Sequence, residues 1–99
     1  MTKSEMAALL KTKSAWLPGK RVKLDYGSEG VIVLDGVANS VTEDEGAADT
    51  TIKVEWADWQ AMQEGRLDPM TAFMQGKIKI EGDMSAAMQL QGVLAKIKG

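Results

Sequence analysis

The period at which apolar residues recur changes along this chain, and that change restricts the fold more than any single motif. Near the start, Met6, Leu9 and Leu10 fall at helical spacing. Thr2 and Glu5 just ahead of them have the capping-box arrangement, so a first helix is expected from Lys3 to Lys13. Pro18-Gly19 turns the chain, and the period becomes two: Val22, Leu24 and Tyr26 alternate with Arg21, Lys23 and Asp25, as in a strand with one dry face. Gly27 to Gly30 is a four-residue connection to the apolar run Val31 to Leu34, which suits a strand inside a sheet and predicts a hairpin. A more polar alternation of Val37, Asn39 and Val41 is expected near the sheet edge. After the acidic turn Glu43 to Gly46, Ile52, Val54 and Trp56 share one face of a fourth strand from Thr50 to Trp56.

Helical signals then return. Trp59, Met62 and Gln63 share a helix face that Gly65 can end in the left-handed conformation. Asp68-Pro69 is a strong helix start, because Asp caps free amides and Pro at the first position gives up no hydrogen bond. Met70, Phe73 and Met74 are its expected dry stripe. Lys77 to Glu81 alternates as a fifth strand, and Asp83 precedes a last helix with Met84, Ala87, Met88, Leu90, Val93, Leu94 and Ile97 on its broad apolar side. Gly92 weakens that helix midway. The order of helix, four strands, two short helices, strand and helix is that of an α+β fold. Ninety-nine residues without repeats or linkers predict one domain with a single core.

Composition removes several function classes. Histidine and cysteine are both absent, so no Ser-His or Cys-His nucleophile, disulfide or Cys/His zinc site can be built. Carboxylates remain for acid/base work or a hard cation, yet the run Glu43, Asp44, Glu45 with Asp49 lacks the spacing of a calcium loop and reads as a solvated turn. A net charge of −2 argues against duplex nucleic acid, whose binders carry a basic footprint. No cofactor is implied. The start lacks the long apolar run of a signal peptide or membrane span and the final Lys98-Gly99 lacks a peroxisomal address, so a cytoplasmic location is expected.

Seven methionines are many for this length, and Met62, Met70, Met74, Met84 and Met88 lie in the helical second half. Unbranched, polarizable side chains repack around ligands of different shape, which suits an apolar pocket; on spacing alone, filling a core is the first reading of the same residues. Lys77, Lys79, Lys96 and Lys98 place basic charge near the end of the chain, either a solvated face or a patch for anionic membranes or acyl-CoA phosphates.

The segments Ala48 to Ile52 and Gly65 to Met84 carry Gly-Arg-Leu at 65–67, Asp-Pro at 68–69, Ala-Phe at 72–73, Gly-Lys-Ile-Lys at 76–79 and Gly-Asp-Met at 82–84. This series resembles the sterol carrier protein type-two family. The resemblance implies a single curved, five-stranded, mainly antiparallel sheet with helices on one face enclosing an apolar cavity for fatty acid, fatty acyl-CoA or sterol-like ligands. It implies non-catalytic binding and intracellular transfer, with the last helix as lid. The alternative is an accessory module that presents a lipophilic intermediate to an enzyme or docks a partner protein, with transient membrane or enzyme contact. Carried over, Phe73, Met74, Met84 and Met88 line the cavity. The candidate ligand-binding set is Met6, Leu10, Trp59, Met62, Met70, Phe73, Met74, Met84, Met88 and Leu94. The chain departs from the family at its beginning, where the helical segment is shorter and ends at Pro18-Gly19, which bears on cavity depth.

Overall fold

The computed structural model describes residues 1–82 and 85–97, without the side chains of residues 86–88. Alternation in the sequence becomes a five-stranded sheet: β1 (Arg21–Asp25), β2 (Val31–Asp35), β3 (Ser40–Thr42), β4 (Thr50–Val54) and β5 (Ile78–Gly82), in the spatial order β3-β2-β1-β4-β5. All neighbours are antiparallel except β1 and β4, which run parallel with Leu24 opposite Ile52. That register sets Val22, Leu24, Ile32, Leu34, Ile52 and Val54 on one face, where each is buried.

Helices supply the other side of the core. The helices α1 (Lys3–Thr12), α2 (Trp56–Gln63), α3 (Pro69–Met74) and α4 (Ser85–Ile97) follow the predicted order. Met6, Leu10, Trp59, Met62, Ala72, Leu90, Val93, Leu94 and Ile97 join the inward strand residues in one apolar cluster, so the helices lie on one face of the sheet. The capping box of α1 forms as expected. The Glu5 amide donates to Thr2 Oγ1 at 3.1 Å and the Thr2 amide to Glu5 Oε1 at 2.8 Å. These bonds favour the charged form of Glu5 and lower its pKa, the Thr2 amide contributing most.

Three expectations are corrected. Val37 and Asn39 are not in a strand: the Asp35 carboxylate accepts from the amides of Val37 and Ala38, both at 2.9 Å, and bends the chain into a turn before β3. Those bonds, with that of Ala38 first, hold the Asp35 carboxyl below its usual range, and Arg21 at 3.2 Å adds to them. Trp56 does not extend β4. Glu55, extended at ψ 144°, is the N-cap, and Trp56 opens α2. Finally, α3 turns Ala72 inward, not Met70, Phe73 and Met74. The expected cap of α4 at Asp83 lies outside the described residues.

Candidate functional site

Gly65, at φ 82°, ends the hydrogen-bonded course of α2 and sends the chain outward, with the amides of Arg66 and Leu67 donating back to the Ala61 carbonyl at 2.8 and 3.2 Å. The Asp68 carboxylate then accepts from the Thr71 amide at 3.0 Å and starts α3. This excursion leaves a groove of about 290 Å³ between the end of α2, the connection to α3, and α4. Its walls are Met62, Leu67, Pro69 and Leu94, and its rim carries the polar Asp68 and Gln91. Met62 and Leu94 are also members of the core, so the groove floor is the core itself. Among the described residues α4 is tied to its surroundings by Gln63 Nε2, which donates to the Ile97 carbonyl at 3.1 Å, by Lys96 Nζ, which donates to the Ser14 carbonyl at 3.3 Å, and by Lys20 Nζ, which donates to Ser85 Oγ at 3.4 Å.

One turn before Met62 on α2 stands Trp59, fully buried. Its ring meets Tyr26 edge-on at 5.7 Å between centroids, and Tyr26 meets Trp56 in the same manner at 4.9 Å. With the Gln60 amide oriented to satisfy both its ends, Trp56 Nε1 donates to its oxygen at 2.9 Å. Tyr26 Oη and Trp59 Nε1 are different. Both are buried, and neither has a hydrogen-bond partner among the described residues. Each such group costs about 1–3 kcal/mol, so two of them side by side in the core require a reason.

Tyr26 is the sequence's single tyrosine, so its ionisation can be followed directly. Burial disfavours the phenolate and pushes its pKa well above the ordinary value. A group that holds its proton more tightly when folded contributes stability below its unfolded pKa of about 10 and loses it as pH rises toward the folded value. Phenolate absorbance is therefore expected only together with loss of the tryptophan near-ultraviolet signal. A phenolate that forms at ordinary alkaline pH in the intact fold would mean that the hydroxyl is open to water.

A second cleft, of about 450 Å³, lies where β1 and β4 end side by side. Tyr26 borders it, among Asp25, Lys53, Glu55, Asp58 and Lys77. This mixed-charge wall does not suit an alkyl chain. The acidic turn is not gathered into a cation site: Glu43 accepts from Ser4 and pairs with Lys3 at 3.6 Å, and Glu45 pairs with Lys23 at 3.2 Å. Among the described residues no group of three or more potential ligands could hold a metal.

Of the predicted ligand-binding residues, Met6, Leu10, Trp59, Met62 and Leu94 come together in the core, with Met62 and Leu94 facing the groove. Met70, Phe73 and Met74 do not join them and are 52%, 38% and 82% exposed. Six residues make fewer than two turns, and α3 buries Ala72, whose carbonyl accepts from the Lys77 amide at 2.9 Å, while the three large side chains lie outside. Met84 and the side chain of Met88 lie outside the described residues. Sequence reasoning passed over Tyr26 as a site residue. The signal was its place on the dry side of an alternating strand, where a hydroxyl must find a partner.

The sequence model of the "SCP-2 sterol transfer family" matches residues 7–95. Sterol carrier protein 2 of Bos taurus is 39% identical over 70 residues, which is 68% of this chain and 13% of the bovine protein, so the chain spans only a small part of the curated relatives it matches. Among solved structures, sterol carrier protein 2 of Aedes aegypti in complex with the C16 fatty acid palmitate superposes with a TM-score of 0.76 at 20% identity, covering 95% of this chain and 94% of that one. A "UbiJ-SCP2 Ubiquinone synthesis protein" superposes with a TM-score of 0.70 at 15% identity, covering 93% and 91%. At these identities the two structures speak for the fold alone. No helix among the described residues is long and apolar enough to cross a membrane.

Proposed function

This chain belongs to the SCP-2 sterol transfer family, and from that premise we propose that it binds a lipid-like ligand, a fatty acid, fatty acyl-CoA or sterol, between sheet and helices and carries it without chemical change. The observation that carries this reading is the groove between α2 and α4, whose apolar walls Met62 and Leu94 are at the same time core residues. A ligand that parts these two helices passes from the surface directly into the apolar cluster, where Trp59, Met6 and Leu10 would be its next contacts. The palmitate held by the Aedes aegypti relative is a ligand of this kind.

At about 290 Å³ the groove is at the lower limit of ligand pockets, which run from about 300 to 1,000 Å³, so α4 must move outward to admit a long chain. Side-chain bonds involving Gln63, Lys96 and Lys20, together with apolar packing, hold it, a restraint that a ligand burying comparable apolar area can offset. Met70, Phe73 and Met74, exposed beside the connection to α3, would meet the part of the ligand that protrudes. Met84 and Met88 complete the proposed lining.

Titration of a fluorescent fatty acid, followed by tryptophan emission, tests the reading. A saturable signal that palmitate, acyl-CoA or sterol displaces is the expected result, and its absence overturns the carrier function. A second reading has one observation in its favour, the exposed apolar side chains of α3. They suit a module that docks an enzyme or partner protein to present a lipophilic intermediate. Native mass spectrometry separates the two: copurified lipid favours the carrier, a lipid-free complex the docking module.

A further inference from the structure

Tyr26 Oη and Trp59 Nε1 present two hydrogen-bond donors, one from the end of β1 and one from the middle of α2, on rings whose centroids are 5.7 Å apart. The indole can only donate, and the phenol donates most strongly, so what both lack is an acceptor. The nearby Gln60 oxygen is taken by Trp56 Nε1. Met62, in the groove, and Trp59 are three residues apart on α2 and therefore neighbours on its surface, and both share one apolar cluster with Tyr26, so a chain that entered over Met62 and parted α2 from α4 would run along the helix toward this pair.

From this juxtaposition we infer that the Tyr26 hydroxyl and the Trp59 indole N–H form the polar end of the ligand site and select lipids that carry an acceptor oxygen there, a carboxyl, ester carbonyl or hydroxyl, over plain hydrocarbons. The inference rests on the lipid-binding reading and adds a specificity to it. Within the apolar cluster to which Tyr26 and Trp59 belong, an oxygen that meets both donors replaces the bonds it leaves in water, whereas a hydrocarbon end leaves both donors bare. Tyr26 and Trp59 thereby also fix the orientation of the ligand, oxygen inward and tail toward the groove.

The test compares palmitic acid with hexadecane, both delivered from cyclodextrin, as displacers of a fluorescent fatty acid from the full chain and from Tyr26→Phe, which keeps the ring and removes the hydroxyl. The wild-type protein is expected to prefer palmitic acid, and Tyr26→Phe to weaken palmitic acid by about tenfold, the worth of one net hydrogen bond, while leaving hexadecane unchanged. A parallel measurement does not depend on that variant's folding. In nitrogen-15 spectra of the wild-type protein, the Trp59 indole N–H, assigned with Trp59→Phe, should shift downfield with palmitic acid and not with hexadecane. Equal losses for both displacers, or a Trp59 signal that responds alike to both, overturn the inference and point to a buried water between the two donors. Wild-type protein that binds neither displacer overturns the lipid reading and this inference with it, whereas binding without discrimination removes only the inference.

Discussion

Replacing Gly36 with alanine is expected to lower the unfolding free energy by about 3 kcal/mol, the upper range for a side chain forced into occupied space. Gly36 follows β2 and is buried against the segment that joins α1 to β1, with its amide donating to the Lys20 carbonyl at 2.8 Å and its carbonyl accepting from the Gly19 amide at 3.0 Å. A Cβ at this position would lie 1.7 Å from the Leu17 carbonyl oxygen and 2.8 Å from that of Lys20. Both obstacles are main chain, so no rotamer change clears them and the two segments must separate. Their separation breaks the bonds that lead α1 into the sheet, the helix that brings Met6 and Leu10 into the core. Gly92→Ala gives the contrast. A Cβ there meets nothing within 4 Å, and alanine in the interior of α4 should add up to about 1 kcal/mol. Urea unfolding curves of the two variants should therefore move in opposite directions, and coincident midpoints would show that the close approach at Gly36 is not a constraint on the fold.

Much of this architecture was legible because alternation reports which face of a strand is dry. Val22 and Leu24 in β1, Tyr26 just after it, and Ile52 and Val54 in β4 are buried as their spacing predicts. Alternation carries no information about neighbours, and so the parallel pairing of β1 with β4 could not be read from it. It also failed where local hydrogen bonding competes with the sheet. The pattern Val37, Asn39, Val41 is a strand pattern, yet the Asp35 carboxylate reaches two amides within three residues, and Asn39 takes φ 54°. The candidate site divides in the same way. Met62 and Leu94 were legible as apolar positions on helix faces, and the structure turns them to a common groove. The outward position of Met70, Phe73 and Met74 depends on which side of a six-residue helix meets β5, a tertiary choice that Ala72 decides. The orphaned donors of Tyr26 and Trp59 depend on how the end of β1 packs against α2 and are invisible in either segment alone.

Lengthening a saturated fatty acid from decanoic to palmitic acid is expected to tighten binding on the order of a thousandfold, the largest effect the proposed site predicts. Each methylene taken from water into an apolar wall contributes about 0.8 kcal/mol, so about six of them supply nearly 5 kcal/mol. Ordering the chain and moving α4 reduce this to about 4 kcal/mol, or three decades in Kd. The acceptor oxygen at Tyr26 and Trp59, at about tenfold, sets orientation and selects among lipids, while the tail dominates affinity. The dependence should be steep while methylenes still enter the cluster that includes Met62, Leu94 and Trp59, and should flatten at the length that fills it. Isothermal competition against one fluorescent probe measures the whole series. If affinity is instead insensitive to length, the chain is not buried, and contact is confined to exposed side chains such as those of Met70, Phe73 and Met74 on α3. That outcome would turn the molecule from a container for lipid into a surface that touches it, because the apolar area α4 and α2 can enclose is what separates the two.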